Sequence, residues 1–121
     1  MASTEPAKPR RGEIWLTAFG AARPGEPGKT RPAVVVSADG QLSGSVHDLV
    51  VVAPLSSSLV QTGSRPTLRA RPDTGLTADS VVVVRAIRGM SRTRLIRRLG
   101  VVDALTLASV QDILSALLDL P

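Results

Sequence analysis

Apolar and polar positions along this chain alternate in short runs, and the period changes only once, near the end. Between residues 13 and 19, Ile14, Leu16 and Ala18 fall on one face and Trp15, Thr17 and Phe19 on the other, the two-residue period of a strand. Residues 20–30 hold three Gly and two Pro among charged positions and predict a connection. A β-branched strand over 31–37 follows, then a turn at Asp39-Gly40. The continuous apolar run over 48–55 predicts a third strand buried on both faces. A polar connection over 56–65 leads to strands over 67–71, 80–86 and 96–102. Leu107, Val110, Ile113 or Leu114, and Leu117 or Leu118 then recur at helical spacing, with Asp103 placed as N-cap and Pro121 at the end. Residues 1–10 carry almost nothing apolar and are expected to form a disordered basic tail, leaving 11–121 as one domain. The expected fold is mainly β with a C-terminal helix, in a compact barrel-like sheet.

Size and composition sharpen this outline. A chain of 121 residues with 43% hydrophobic content is enough for one core. Its apolar runs fall far short of the roughly 20 residues of a membrane span, and no apolar stretch follows Lys8, Arg10 and Arg11 as a secretory signal requires. The absence of Cys agrees with a reducing compartment, so a cytoplasmic protein is expected. The net charge is +5, and 13 of the 15 basic residues are Arg. Residues 100–121 contribute three Asp and no base, so the body carries about +8. Guanidinium groups match phosphate by donating two parallel hydrogen bonds, which points to an anionic partner such as nucleic acid.

Several chemistries are disfavoured by what is missing. The stretch Gly25-Glu26-Pro27-Gly28-Lys29-Thr30 has the tail of a phosphate-binding loop, but Arg23 stands where the first Gly belongs and a strand follows in place of a helix. His47 is the only histidine, and the ten carboxylates are not paired at metal-ligand spacing. Neither a metal nor another cofactor is expected, and one chain has no two imidazoles to act as acid and base. RNA brings its own nucleophile, the 2′-hydroxyl, and then needs alignment and charge stabilisation, which an Arg and a hydroxyl at strand ends supply. Residue types alone do not select which Arg.

Five segments, in this order, are together specific: Arg11-Gly12-Glu13-Ile14-Trp15; Gly25-Glu26-Pro27-Gly28-Lys29-Thr30-Arg31-Pro32-Ala33-Val34-Val35-Val36-Ser37; Val51-Val52-Ala53-Pro54-Leu55-Ser56-Ser57; Asp79-Ser80-Val81; and Arg85-Ala86-Ile87-Arg88. The chain resembles the MazF/PemK toxins over residues 11 to about 120. The resemblance implies an SH3-like small barrel of the MazF/CcdB/PemK type, a homodimer, a cognate antitoxin protein, and metal-independent cleavage of single-stranded RNA. The implied products carry 2′,3′-cyclic phosphate and 5′-hydroxyl ends. It marks Arg31 and Ser56 as catalytic, Glu26 and Ser57 as supporting groups, and Lys29, Thr30, Phe19, Arg85 and Arg88 as RNA contacts. Ser56 stands where most relatives have Thr, Pro27 replaces a Gln, and Ala86 replaces the Gln of a Gln-Ile-Arg motif. Trp15 is a stacking surface or an interface residue. The run Arg85, Arg88, Arg92, Arg94, Arg97, Arg98 has no acid within it and is expected to grip phosphate or an acidic antitoxin tail. The competing readings are a non-catalytic toxin that poisons gyrase, as CcdB proteins do, and a plain RNA-binding barrel.

Overall fold

The computed structural model describes residues 8–21, 24, 29–41, 44–45, 47–58 and 65–121. Among these are β1 (Glu13–Ala18), β2 (Thr30–Val35), β3 (Leu49–Ser56), β4 (Thr67–Leu68), β5 (Ser80–Val82), β6 (Arg88–Ser91), β7 (Leu95–Val101) and α1 (Ala104–Leu117). The sheet runs β4-β5-β3-β2-β1-β7, every neighbour antiparallel, and curls into a half-barrel with one C-terminal helix. The second edge of β3 is shared: β6 pairs with its first half and β5 with its last two residues.

Because side chains alternate along a strand, β2 and β3 feed two cores at once. Ala33, Val35, Val50 and Val52 join Phe19, Met90 and Leu95 on one face. Val34, Val36, Ala53 and Leu55 join Ile14, Val82, Val84 and Val110 on the other. The apolar run of β3 is therefore buried on both faces, as its sequence predicts.

The helix covers the second of these faces with Leu107, Val110, Ile113 and Leu114. Asp103 caps it, its Oδ1 accepting from the Thr106 N–H at 2.7 Å. Arg11 ties the helix to the sheet, donating to the Val36 carbonyl and, at 2.9 Å, to Gln111 Oε1. Pro9 is buried and the Arg10 N–H donates to Glu13 Oε1 at 2.6 Å, so the packed part of the chain reaches into the expected tail.

Three elements depart from the expected pattern. The strand foreseen over 67–71 is two residues long, because from Arg69 the chain folds into a turn around the Thr74 hydroxyl, which donates to the Arg69 carbonyl at 2.8 Å. The strand foreseen over 80–86 ends at Val82 and passes into a 3-10 turn over Val84–Ala86. β6 has no alternation to announce it and exists through its pairing with β3.

Candidate active site

Arg31 and Ser56 meet because a ladder stops. Along β2 the even-numbered residues turn their backbone donors toward β3, as Val36 does to the Val51 carbonyl at 2.9 Å. Two such positions further toward the strand start, past Val34, stands Pro32, which has no N–H. In this register Pro32 faces Leu55, and the neighbouring Pro54 carbonyl serves the other edge of β3, accepting from the Val83 N–H at 2.9 Å. Pairing of β2 with β3 accordingly ends at Ala33 opposite Pro54. Continued two residues, that register sets Arg31 across from Ser56 with both side chains on the same face.

Both residues are half-buried and line one open pocket of about 390 Å³. Pro32, Leu55, Ser57 and Ser58 line it too, together with Leu76, Thr77, Ala78 and Ser80 from the segment that leads into β5. The Ser56 Oγ accepts from the Ser58 N–H at 3.1 Å, which fixes the hydroxyl and leaves its proton to donate. Ser57 is exposed at the same rim. The part of the lining over 76–78 carried no signal in the sequence, where its small and polar residues look like an ordinary connection.

Lys29 and Thr30 are exposed at the start of β2. Lys29 adopts φ 62°, a left-handed conformation uncommon outside glycine. It closes the hairpin by donating its N–H to the Gly20 carbonyl and accepting from the Phe19 N–H at 2.8 Å. Glu26 lies outside the described residues.

The aromatic and basic residues divide differently from expectation. Phe19 is only 5% exposed and sits in a core cluster, with the Arg88 guanidinium 4.8 Å from its ring centre. An RNA base has no access to a ring packed in this way. Arg88 also donates to the Phe19 carbonyl at 2.7 Å, so its fork holds the end of β1. Trp15 is half-buried, packs on the same cluster and donates to Glu13 Oε1 at 3.2 Å. Arg92, expected to grip phosphate, is buried in an ion pair with Asp48 at 3.3 Å, the two side chains 4% and 9% exposed. Arg98 pairs with Glu13 at 2.6 Å. Arg85, Arg94 and Arg97 remain exposed, and among the described residues Arg85 and Arg97 have no polar partner. No three His, Cys, Asp or Glu side chains of the described residues converge as a metal site would need, and exposed His47 is not among the pocket's lining.

A family model described as PemK-like, MazF-like toxin of type II toxin-antitoxin system matches residues 10–118. The chain belongs to this toxin family. The toxin is similar to Endoribonuclease MazF9 of Mycobacterium tuberculosis, 34% identical over 114 residues that span 92% of this chain and 97% of the relative. In three dimensions it is similar to MazF from Deinococcus radiodurans, with 26% identity, 94% and 99% of the two chains covered and a TM-score of 0.79. A MazE-MazF structure from the same organism matches at 25% identity and a TM-score of 0.74, covering 95% of the toxin and 99% of that chain. The half-barrel with its C-terminal helix is thus the fold of MazF toxins.

Proposed function

We propose that this toxin is an endoribonuclease that cuts single-stranded RNA without a metal ion and is held in check by a cognate antitoxin. The observation that carries the reading is the placement of Arg31 and Ser56 side by side in one pocket. The 2′-oxygen attacks the adjacent phosphorus, the bond to the 5′-oxygen breaks, and the ends left are a 2′,3′-cyclic phosphate and a 5′-hydroxyl. Arg31 meets the charge that grows on the phosphoryl oxygens, and the Ser56 hydroxyl donates to one of them. Glu26 is the candidate acceptor of the 2′-hydroxyl proton, with Ser57 as a second hydroxyl at the rim. Lys29, Thr30 and Arg85, all exposed, hold the flanking backbone. Neither a gyrase-binding toxin nor a plain RNA-binding barrel requires an Arg and a hydroxyl aligned in this way.

An antitoxin as partner is supported by the solved MazE-MazF relative. The active form is a homodimer, which light scattering of the purified toxin tests. None of the described helices is long and apolar enough to cross a membrane, and the cytoplasm, where RNA and antitoxin are both present, is the proposed site of action. The deciding experiment is incubation with single-stranded RNA in excess EDTA. Cleavage with 5′-hydroxyl ends is expected to persist; activity lost in chelator and restored by a divalent ion overturns the metal-free mechanism.

A further inference from the structure

The segment over 76–80 that lines the pocket is built more rigidly than a connection needs to be. Gly75, at its base, has φ +67°, and a Cβ placed there would lie 2.0 Å from the Leu99 carbonyl oxygen. Its N–H donates to the Arg71 carbonyl at 2.9 Å. At the other end Asp79 Oδ1 accepts from the Ala70 N–H at 2.7 Å, and the Ser80 hydroxyl turns back to the Ala78 carbonyl at 3.0 Å. Leu76 and Ser80 are buried, whereas Thr77 and Ala78 between them are exposed. Among the described residues the Thr77 hydroxyl has no partner. The pinned turn therefore offers one uncommitted donor and acceptor in the pocket that Arg31 and Ser56 also line.

Resting on the endoribonuclease reading above, we propose that this pocket receives the unstacked nucleobase next to the scissile phosphate and that Thr77 determines which base is accepted. Leu55, Pro32, Leu76 and Ala78 supply apolar surface for the faces and sides of a base. The Thr77 hydroxyl supplies polar readout of its edge, the usual way proteins choose among bases in single-stranded RNA. A pocket of about 390 Å³ is at the small end of ligand sites, which suits one nucleotide and not a stacked pair. Because this segment is held in place before RNA arrives, a mismatched edge leaves a polar group unpaired and is not relieved by movement of the turn.

The test is cleavage of a random-sequence single-stranded RNA pool by the full chain, with the 5′-hydroxyl ends sequenced and single-turnover rates measured on the preferred sequence and its single-base variants. The parent should discriminate at a position flanking the cut. Thr77→Val, which keeps the shape but removes the hydroxyl, should flatten that one position by about tenfold, the effect of one hydrogen bond, and leave the others unchanged. Thr77→Ser should restore the preference. Arg31→Ala, in contrast, should slow all sequences alike. An unchanged sequence profile for an active Thr77→Val enzyme overturns the assignment of Thr77, as does loss of rate without loss of base preference. Failure of the parent to cut any RNA would instead overturn the endoribonuclease reading, and this inference with it.

Discussion

Arg31 should govern the rate of cleavage more than the strength of binding. Attack by the 2′-oxygen builds charge on the phosphoryl oxygens, so a guanidinium aimed there favours the transition state over bound RNA. Arg31→Ala is expected to lower the single-turnover rate by on the order of 10²- to 10³-fold with a smaller change in RNA affinity. Ser56→Ala should also slow cleavage, and Ser56→Thr should be tolerated because it keeps the hydroxyl that Ser58 fixes. Parental rates for Arg31→Ala would remove it from the chemistry; parental rates for Ser56→Ala alone would move the role to Ser57. Packing makes an equally local prediction. A methyl at Gly75 meets the Leu99 carbonyl oxygen 2.0 Å away, at a φ that L residues avoid, so Gly75→Ala should destabilise the fold by about 2 to 5 kcal/mol in chemical denaturation. Gly40→Ala, with nothing within 4 Å of the added methyl, is the control and should stay near parental. Equal midpoints for the two variants would contradict the tight turn. The sequence led to Arg31 and Ser56 through a motif. It did not show that Phe19 and Arg92 are buried, because neither residue type nor spacing says which side of a curled sheet faces a second core.

Strands were legible in the chain wherever both faces are packed. β2 and β3 have dense apolar runs because each feeds two clusters, and their positions follow directly from the pattern. β4 was read in the right place but too long, because the chain turns away after two residues, and β6 was not legible because its short Arg-Gly-Met-Ser stretch has no alternation and depends on β3 for its pairing. The helix was read from periodicity and from its cap, and the cap carries a pH dependence. The Thr106 N–H, followed by the Thr106 hydroxyl, holds the Asp103 carboxyl below its usual range. A carboxyl lowered in the folded state binds its proton more readily when unfolded. Its contribution is therefore complete above the ordinary aspartate value and is lost as pH falls through the lowered folded value. Asp103→Ala should cost about 1 kcal/mol near neutral pH, and its stability difference from the parent should shrink in acid. Asp103→Asn, which still accepts from the helix, should recover most of the stability without that acid dependence. A difference that stays constant from pH 7 down to pH 2 would show that the ionised carboxylate adds nothing to the cap.

Across the molecule the positive charge is divided between holding the fold and meeting the ligand, and a run of Arg in sequence conceals the division. Arg85 is exposed with no polar partner among the described residues, close in sequence to Arg88, which is spent on Phe19. Arg92, seven positions after Arg85, is buried against Asp48 and links β3 to the start of β7. Phosphate contacts release counterions, so log affinity for RNA should fall linearly with log salt, each lost contact lowering the slope by about 1. Arg85→Ala should produce that change with unaltered stability. Arg92→Ala should leave the slope at the parental value, yet lose about 3 to 5 kcal/mol of stability by leaving the Asp48 carboxylate buried without its guanidinium. Measuring RNA affinity from low to moderate salt beside denaturation curves separates the two outcomes, provided Arg92→Ala is studied at a temperature where it is folded. If Arg92→Ala lowers the slope while its denaturation midpoint is unchanged, the buried pair does not persist in solution. If Arg85→Ala leaves the slope untouched, RNA crosses another part of the basic surface, and Arg94 and Arg97 are next to be replaced.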